Sequence, residues 1–412
     1  MMKLLFTGPL QDFSGFAHAS REFMRALLES DKIDVVARSL KYDQLDAGQL
    51  FEAPQWMTEC LEKDLMDVDV AIQMTTCNIE ANPVPGIVNG LYTFFETDRL
   101  QVTWAQKANE FDFLIVPSRY NAETLLKSGI QKPILVASPP CDKDLYEKEV
   151  TPFAIDQAGD RTVFYNICQL SSKKGVDSLL RAYYAAFAGM KDDVLLVLKT
   201  YVNMQGRDND MEIVKGYIND VKAKCRIPAE LPPVLPVVYT MTDEEIAGLH
   251  TRGDAYVCSS RAEGWGIPVF DALAYGNTVI SHNQTGLAEF VTPDNALVYS
   301  GSMGFFYNMP HQDPGLFTGL EQCFEPSVAE MAITMQRFHM LKKGHEAGQL
   351  NEQNAQEWQS VLNRRENAKN VADRFDYRRV SEKICEQIEK AVESYAKSGF
   401  VQFEGDKQTL EQ

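Results

Sequence analysis

Histidine is scarce in this chain of 412 residues. There are six, and no group of them stands at metal-ligand spacing, so no metal centre is expected. Cysteine is present but unpaired. The eight cysteines, at positions 60, 77, 141, 168, 225, 258, 323 and 385, show no recurrent spacing, and several lie in apolar runs. That predicts buried free thiols in a reducing cytoplasm rather than a disulfide framework. Long apolar runs are missing. None approaches the roughly eighteen residues of a membrane span. The apolar core of the N-terminal MMKLLFTG is too short for a signal peptide. A cytoplasmic protein without stable membrane insertion is the expectation. Positive charge is in deficit, with 40 Lys and Arg against 58 Asp and Glu and a net charge of −18. Such a surface opposes non-specific binding to nucleic acid or anionic membrane, although a local basic patch remains compatible with it. The three-glycine dinucleotide fingerprint is absent too, which argues against an NAD-dependent dehydrogenase.

What is present starts with length. The chain exceeds one typical core, and two domains are expected. Residues 254–290 read DAYVCSSRAEGWGIPVFDALAYGNTVISHNQTGLAEF. Asp254 to Cys258 has strand character. Ser259 to Gly266 is a polar loop. Pro268 suits the first turn of a helix, where its missing N–H is not needed. Ile267, Phe270, Leu273 and Ala274 recur at helical spacing, Gly276 ends the helix, and Thr278 to Ser281 returns as a strand. The loop therefore lies at the carboxyl end of its strand, where open parallel sheets bind ligands. Gly264 and Gly266 permit close backbone approach. The helix directs its positive end at the same place, which favours phosphate. Glu263 in the loop and Asp271 one turn into the helix offer acceptors for hydroxyls. Acceptors for hydroxyls beside donors for phosphate describe a nucleotide-sugar site. A structural loop with two solvated acids would show the same residue types.

E-G-W-G-I-P followed by D-A-L-A-Y-G-N-T-V-I resembles the donor-site motif of glycosyltransferase family 4, whose members have the GT-B fold. The resemblance implies two Rossmann-like α/β domains facing a central cleft. It implies transfer of a sugar from a nucleotide-sugar donor to a hydroxyl-bearing acceptor, with retention of anomeric configuration. Glu263 matches the first acid of the motif and takes the transferred sugar. Asp271, one methylene shorter than the usual glutamate, takes the ribose. Backbone around Gly264, Trp265, Gly266 and Ile267 receives the diphosphate.

Other segments extend the likeness. Lys3 to Thr7, a glycine loop, and Phe16 to Leu28 form a strand–loop–helix unit. Gly15 matches the family glycine at the donor phosphates, with Ser14 beside it. F-F-E-T-D-R-L precedes Trp104 and N-E-F-D, and it supplies Glu96 as the polar candidate near the sugar; a capping or ion-pairing role fits Glu96 as well. V-P-S-R-Y-N contains Ser118 and Asn121, which contact substrate on the family reading, while N-capping accounts for Ser118 more economically. C-Q-L-S-S-K-K-G matches the end of the family's phosphate motif at Lys174 and Gly175. Gln169 stands where an arginine is usual, and Lys173 is a candidate substitute. The base is placed near Tyr239 and Met241.

Residues 1–150 are expected to form the acceptor domain and 160–374 the donor domain. A helix at 375–400 is expected to cross back to the first. Residues 139–161 read as a linker and 201–230 as a charged surface insertion, whose D-N-D at 208–210 is a solvated loop rather than a metal site. Residues after Phe290, through Thr318, read as a flexible cover. No cofactor beyond the nucleotide-sugar donor, of UDP or GDP type, is required on this reading. Two rivals stay open: a nucleotide-sugar epimerase of the same fold, and a non-catalytic sugar-binding or nucleotide-binding protein that kept it. The net charge disfavours nucleic acid as acceptor without excluding a modified base.

Overall fold

The computed structural model describes residues 1–12, 14–40, 52–76, 81–202, 209–306, 317–401 and 409–411. The chain divides into two compact units. The first comprises residues 1–143, 315–322 and 372–412, and the second 144–314 and 323–371.

The first unit contains β1 (Met2–Gly8), α1 (Gly15–Leu28), β2 (Ile33–Ser39), α2 (Gln55–Glu62), β3 (Val70–Met74), β4 (Val88–Tyr92), α3 (Val102–Ala108), β5 (Phe113–Val116), α4 (Arg119–Lys127) and β6 (Ile134–Val136). The second contains α5 (Asp144–Glu147), β7 (Thr162–Gln169), α6 (Val176–Phe187), β8 (Val194–Tyr201), α7 (Asp210–Cys225), β9 (Val234–Val237), α8 (Asp243–Arg252), β10 (Ala255–Val257), α9 (Ile267–Ala274), β11 (Thr278–Ser281), β12 (Leu297–Val298), β13 (Gly301–Phe305), β14 (Gln322–Pro326), α10 (Val328–Glu346) and most of α11 (Glu352–Arg374). α12 (Tyr377–Ser398) and β15 (Thr409–Glu411) return to the first unit. There α12 packs on α1, and the Ser381 hydroxyl donates to the Ala26 carbonyl at 2.6 Å.

Both large sheets are parallel, which explains the apolar character of their strands. A parallel sheet covered by helices on both faces buries every side chain of its central strands. Phe113–Val116 and Val88–Tyr92 are buried throughout. α1 shows the complementary pattern. Its Phe23, Met24 and Leu27 are fully buried, each stabilising the unit by about 2 kcal/mol.

Strand order decides where a ligand can sit. The first sheet runs β15-β6-β5-β4-β3-β1-β2, and the order reverses beside β1. The second runs β12-β11-β10-β7-β8-β9, the dinucleotide-fold order, with its reversal between β7 and β10. Connections leave in opposite directions at such a point, so the carboxyl ends of β7 and β10 open a crevice.

One expectation is corrected. Residues 210–225, expected to belong to a charged surface insertion, form the 16-residue helix α7 between β8 and β9. Val214, Ile218 and Val221 recur at helical spacing and are buried, while the charged side chains between them face solvent. Asn209 and Asp210 of the D-N-D stretch are local: Asp210 accepts from the Val202 N–H at 3.2 Å. Position 208 and residues 307–316 of the expected cover lie outside the described residues.

Candidate functional site

Two loops meet at the reversal of the second sheet. One follows β7 and contains a short 3-10 turn at Ser172–Lys174; the other, Ser259 to Gly266, follows β10. Two serine side chains and a backbone N–H of the second loop hold carbonyls of the first. Ser259 Oγ donates to Lys174 O at 2.8 Å, Ser260 Oγ to Lys173 O at 3.2 Å, and the Arg261 N–H to Lys173 O at 2.6 Å. Gly175 turns the chain with φ of 60°, and a Cβ there would lie 2.1 Å from Ser259 O, so only glycine permits this approach.

This stapling brings together two residues singled out from the sequence. Lys174 Nζ donates to Glu263 Oε1 at 2.7 Å. Their side chains are 19% and 13% exposed, so the pair is mostly shielded but reachable. Lys174 is thus paired rather than solvated. Lys173 is half-buried on the same turn.

The rest of the loop offers donors. Gly266 adopts φ of 98° and opens α9, with Pro268 in the first turn and no side-chain cap. The N–H groups of Gly264, Gly266 and Ile267 make no hydrogen bond within the described residues. Uncapped N–H groups at a helix start favour an anion, and the helix dipole adds to them. Trp265 is buried against Phe270 and Phe290, with ring centroids at 5.9 and 4.8 Å, so it supports the loop with its indole.

Asp271 sits on α9. The Tyr146 hydroxyl donates to Asp271 Oδ1 at 2.7 Å, and Tyr146 packs against Tyr275 and Phe270 at 4.9 and 6.3 Å. Burial among these rings pushes the carboxyl pKa up to about 7, although the Tyr146 bond pulls the other way. Oδ2 makes no hydrogen bond within the described residues and is open to another donor. A carboxyl group that holds its proton to higher pH when folded favours folding at low pH, and the benefit is lost as pH rises through the folded value. Wild-type stability relative to Asp271→Asn is therefore expected to fall between about pH 4 and pH 7. Denaturant unfolding of both proteins across that range checks this; parallel profiles would refute it. Asparagine keeps an acceptor for Tyr146, so the comparison isolates the charge.

Tyr239 and Met241 lie on the segment between β9 and α8. Tyr239 is exposed, and its hydroxyl donates to Glu245 at 3.0 Å; Met241 is buried. Glu245 also closes a capping box with Thr242, as T-D-E-E suggests.

In the first unit, Gly15 is the exposed first residue of α1, and Ser14 caps that helix by accepting from the Ala17 N–H at 3.0 Å. Glu96 is half-buried in the segment after β4, and its carbonyl faces the Tyr120 hydroxyl at 3.5 Å. Ser118 and Asn121 have no exposed surface. Ser118 caps α4 by accepting from the Asn121 N–H, and Asn121 Oδ1 accepts from the Phe95 N–H at 2.8 Å. Their hydrogen bonds are structural.

Sequence reasoning missed three residues. Arg261 is buried and forks onto Asp177 at 2.9 and 3.0 Å, meets both Glu325 oxygens at 3.0 Å, and reaches Ser172 O and Ser178 Oγ. Burial opposes its charge, but these carboxylates more than restore it and raise its pKa. With its donors so engaged, Arg261 does not replace the arginine absent at Gln169. His282 is buried and neutral, its pKa lowered to about 4 by burial despite its bond to Ser260 O at 2.8 Å. Thr285 follows in the same loop at φ of 59°, buried, with its hydroxyl unpartnered. Beside it the Gly286 N–H donates to Glu263 O at 2.9 Å, which joins this loop to the one that carries Glu263. A β-branched residue in the left-handed region is strained by about 1–2 kcal/mol. Thr285→Gly is expected to stabilise the protein by about 1 kcal/mol after the entropy cost of glycine. Chemical denaturation checks this, and a loss of stability would show that the threonine is not strained.

Residues 147–305 match the family model of glycosyl transferases group 1. No curated protein matches the chain in sequence. Among solved structures, trehalose-6-phosphate synthase OtsA aligns with a TM-score of 0.61 at 10% identity, covering 95% of this chain and 99% of that one. HepE of Anabaena, in complex with UDP and glucose, aligns at 0.58 and 14% identity, covering 94% and 100%. A point mutant of S. aureus TarM, in complex with fondaparinux, alpha-GlcNAc-glycerol and UDP, aligns at 0.51 and 11% identity, covering 77% of this chain; the chain spans 55% of its length. The fold is GT-B, with two Rossmann-like units. The likeness to glycosyl transferases is carried by residues 147–305, and the structures carry the fold.

Proposed function

We propose that this protein transfers a sugar from a nucleotide-sugar donor, of UDP or GDP type, to a hydroxyl-bearing acceptor with retention of configuration. The observation that carries the reading is the Lys174–Glu263 pair beside the unpartnered N–H groups of Gly264, Gly266 and Ile267. Breaking the bond between sugar and diphosphate leaves negative charge on the diphosphate and positive character on the sugar carbon. Preorganised donors at the first and an acceptor at the second lower that barrier. Lys174 and the loop N–H groups serve the diphosphate. Glu263, released as Lys174 turns to phosphate, accepts from the sugar hydroxyls. Asp271 Oδ2 serves the ribose, and the segment at Tyr239 and Met241 the base. Gly15 is the phosphate-binding candidate of the first unit and Glu96 its polar candidate. These donors supply the charge on their own, so the proposal needs no metal.

A thermal-shift screen over nucleoside diphosphates and their sugars tests this, since a ligand that binds only the folded state raises the apparent melting temperature. A shift by one base class supports the reading; no shift with any nucleotide removes it. An epimer formed from the donor without acceptor would favour the epimerase alternative. Binding without hydrolysis or transfer would favour a non-catalytic protein. Glu263→Gln keeps the shape and loses the charge. It is expected to lower turnover about tenfold or more, the scale of one charged hydrogen bond, with nucleoside diphosphate affinity nearly unchanged. Unchanged turnover would remove Glu263 from the site.

A further inference from the structure

The second unit has another concavity, at the opposite end of its sheet. Arg161 precedes β7 and Asp254 precedes β10, so both stand at the amino ends of strands whose carboxyl ends form the donor site. With the last residue of α8, Arg252, and the last turns of α10, they line a cleft of about 500 Å³. That volume is within the range of small-molecule sites, about 300–1,000 Å³.

The lining is almost wholly charged. The rest of it is backbone and small residues, Gly159 and Ala347, with no large apolar side chain. Arg161 is fixed by Gln157 O at 2.7 Å and by Asp192 at 3.2 Å. Asp254 is fixed by accepting from the Val163 N–H at 2.8 Å. Lys342 and Lys343 share one carboxylate, that of Glu346; Lys342 lies 3.4 Å from Asp254 as well, and Lys343 also donates to Asp160 O. Arg252 is half-buried and makes no hydrogen bond or ion pair within the described residues. An arginine presents five N–H donors, and one left unpaired in a cleft is matched to an oxyanion that it can grip in a fork.

We infer that this cleft binds a small, polar phosphate monoester, gripped by Arg252 beside Lys342 and Lys343, whose charges Glu346 and Asp254 balance. A phosphate would supply the acceptors that Arg252 lacks. The charged walls leave no apolar surface for a hydrophobic body. A long polyanion is disfavoured because it would extend from the cleft over a chain of net charge −18.

The test is equilibrium dialysis of the full chain against inorganic phosphate and glycerol phosphate, repeated with Arg252→Ala, Lys343→Ala and Lys174→Ala. Arg252→Ala is expected to remove one phosphate-binding component, weakening it about tenfold or more for both probes, with a smaller loss for Lys343→Ala; Lys174→Ala is expected to leave that component in place, whatever it does to phosphate at the other site. Loss in Lys174→Ala alone would place the anion in the donor site and overturn the inference. Equal binding by wild type and all variants would mean an adventitious counterion and overturn it too. Phosphatidic-acid vesicles separate the two sources of phosphate: binding to them that depends on Arg252 would replace the small molecule by a lipid headgroup. The inference does not rest on sugar transfer, so its failure leaves that proposal standing.

Discussion

Lys174→Ala is expected to lower turnover of the nucleotide sugar by about 10²-fold or more, the scale on which a preorganised electrostatic donor acts. A diphosphate gathers more charge as it leaves than it carries in the donor. Gln169 does not supply what an arginine would, and Arg261 is committed to Asp177 and Glu325, so in the proposed function this task falls to Lys174. Its stability effect differs from that of a solvated lysine. Removing it leaves Glu263, only 13% exposed, without its cation, at a cost of about 1–2 kcal/mol. Combining Lys174→Met with Glu263→Gln removes both charges. That double variant is expected to regain the stability and not the turnover, which separates the chemical role from the structural one. Lys173→Ala is expected to cost less in turnover. The measurements are initial rates against donor concentration, with denaturant unfolding alongside. A folded Lys174→Ala variant with full turnover would show that the diphosphate does not sit on this lysine.

The fold of the second unit was legible in the sequence because its signals are local. A strand, a loop with two glycines, a proline in the first helical turn and a second strand lie within residues 254–290, and the structure shows β10, α9 and β11 there. The capping box at Thr242 lies within four residues, so it too could be read in one dimension. α7 was hidden because its buried Val214, Ile218 and Val221 are outnumbered by charged neighbours that face solvent. The Tyr146–Asp271 bond joins residues 125 apart, and the strain at Thr285 follows from how its loop meets the donor loop. Neither has a sequence pattern. Spacing along the chain gives which residues share an element; it does not give which elements converge.

Arg261 shows that limit most clearly, and it carries the second large effect. In sequence it is a charged residue in a polar loop and looks solvated. In the structure it is buried, and its partners Asp177 and Glu325 lie 84 and 64 residues away. It touches no reacting group in this arrangement. It acts by fixing the lysine turn, through Ser172 O, against the loop that carries Glu263. Arg261→Met is expected to cost about 2–3 kcal/mol of stability. Breaking a fully buried ion pair costs about 3–5 kcal/mol, but Asp177 and Glu325 are about a third exposed and water recovers part of the loss. Turnover is expected to fall with it, because Lys174 and Glu263 sit on the two loops that lose their clamp. Arg261→Lys keeps the charge but not the planar fork, so it is expected to recover only part of both. If Lys174 acts on the departing diphosphate as proposed, its position bears on the transition state more than on donor capture, and kcat is expected to fall more than KM rises. An Arg261→Met protein as stable as wild type would show that the clamp carries no load. Normal kcat in a measurably destabilised variant would confine Arg261 to folding and leave the geometry of the lysine turn to the serine hydroxyls alone.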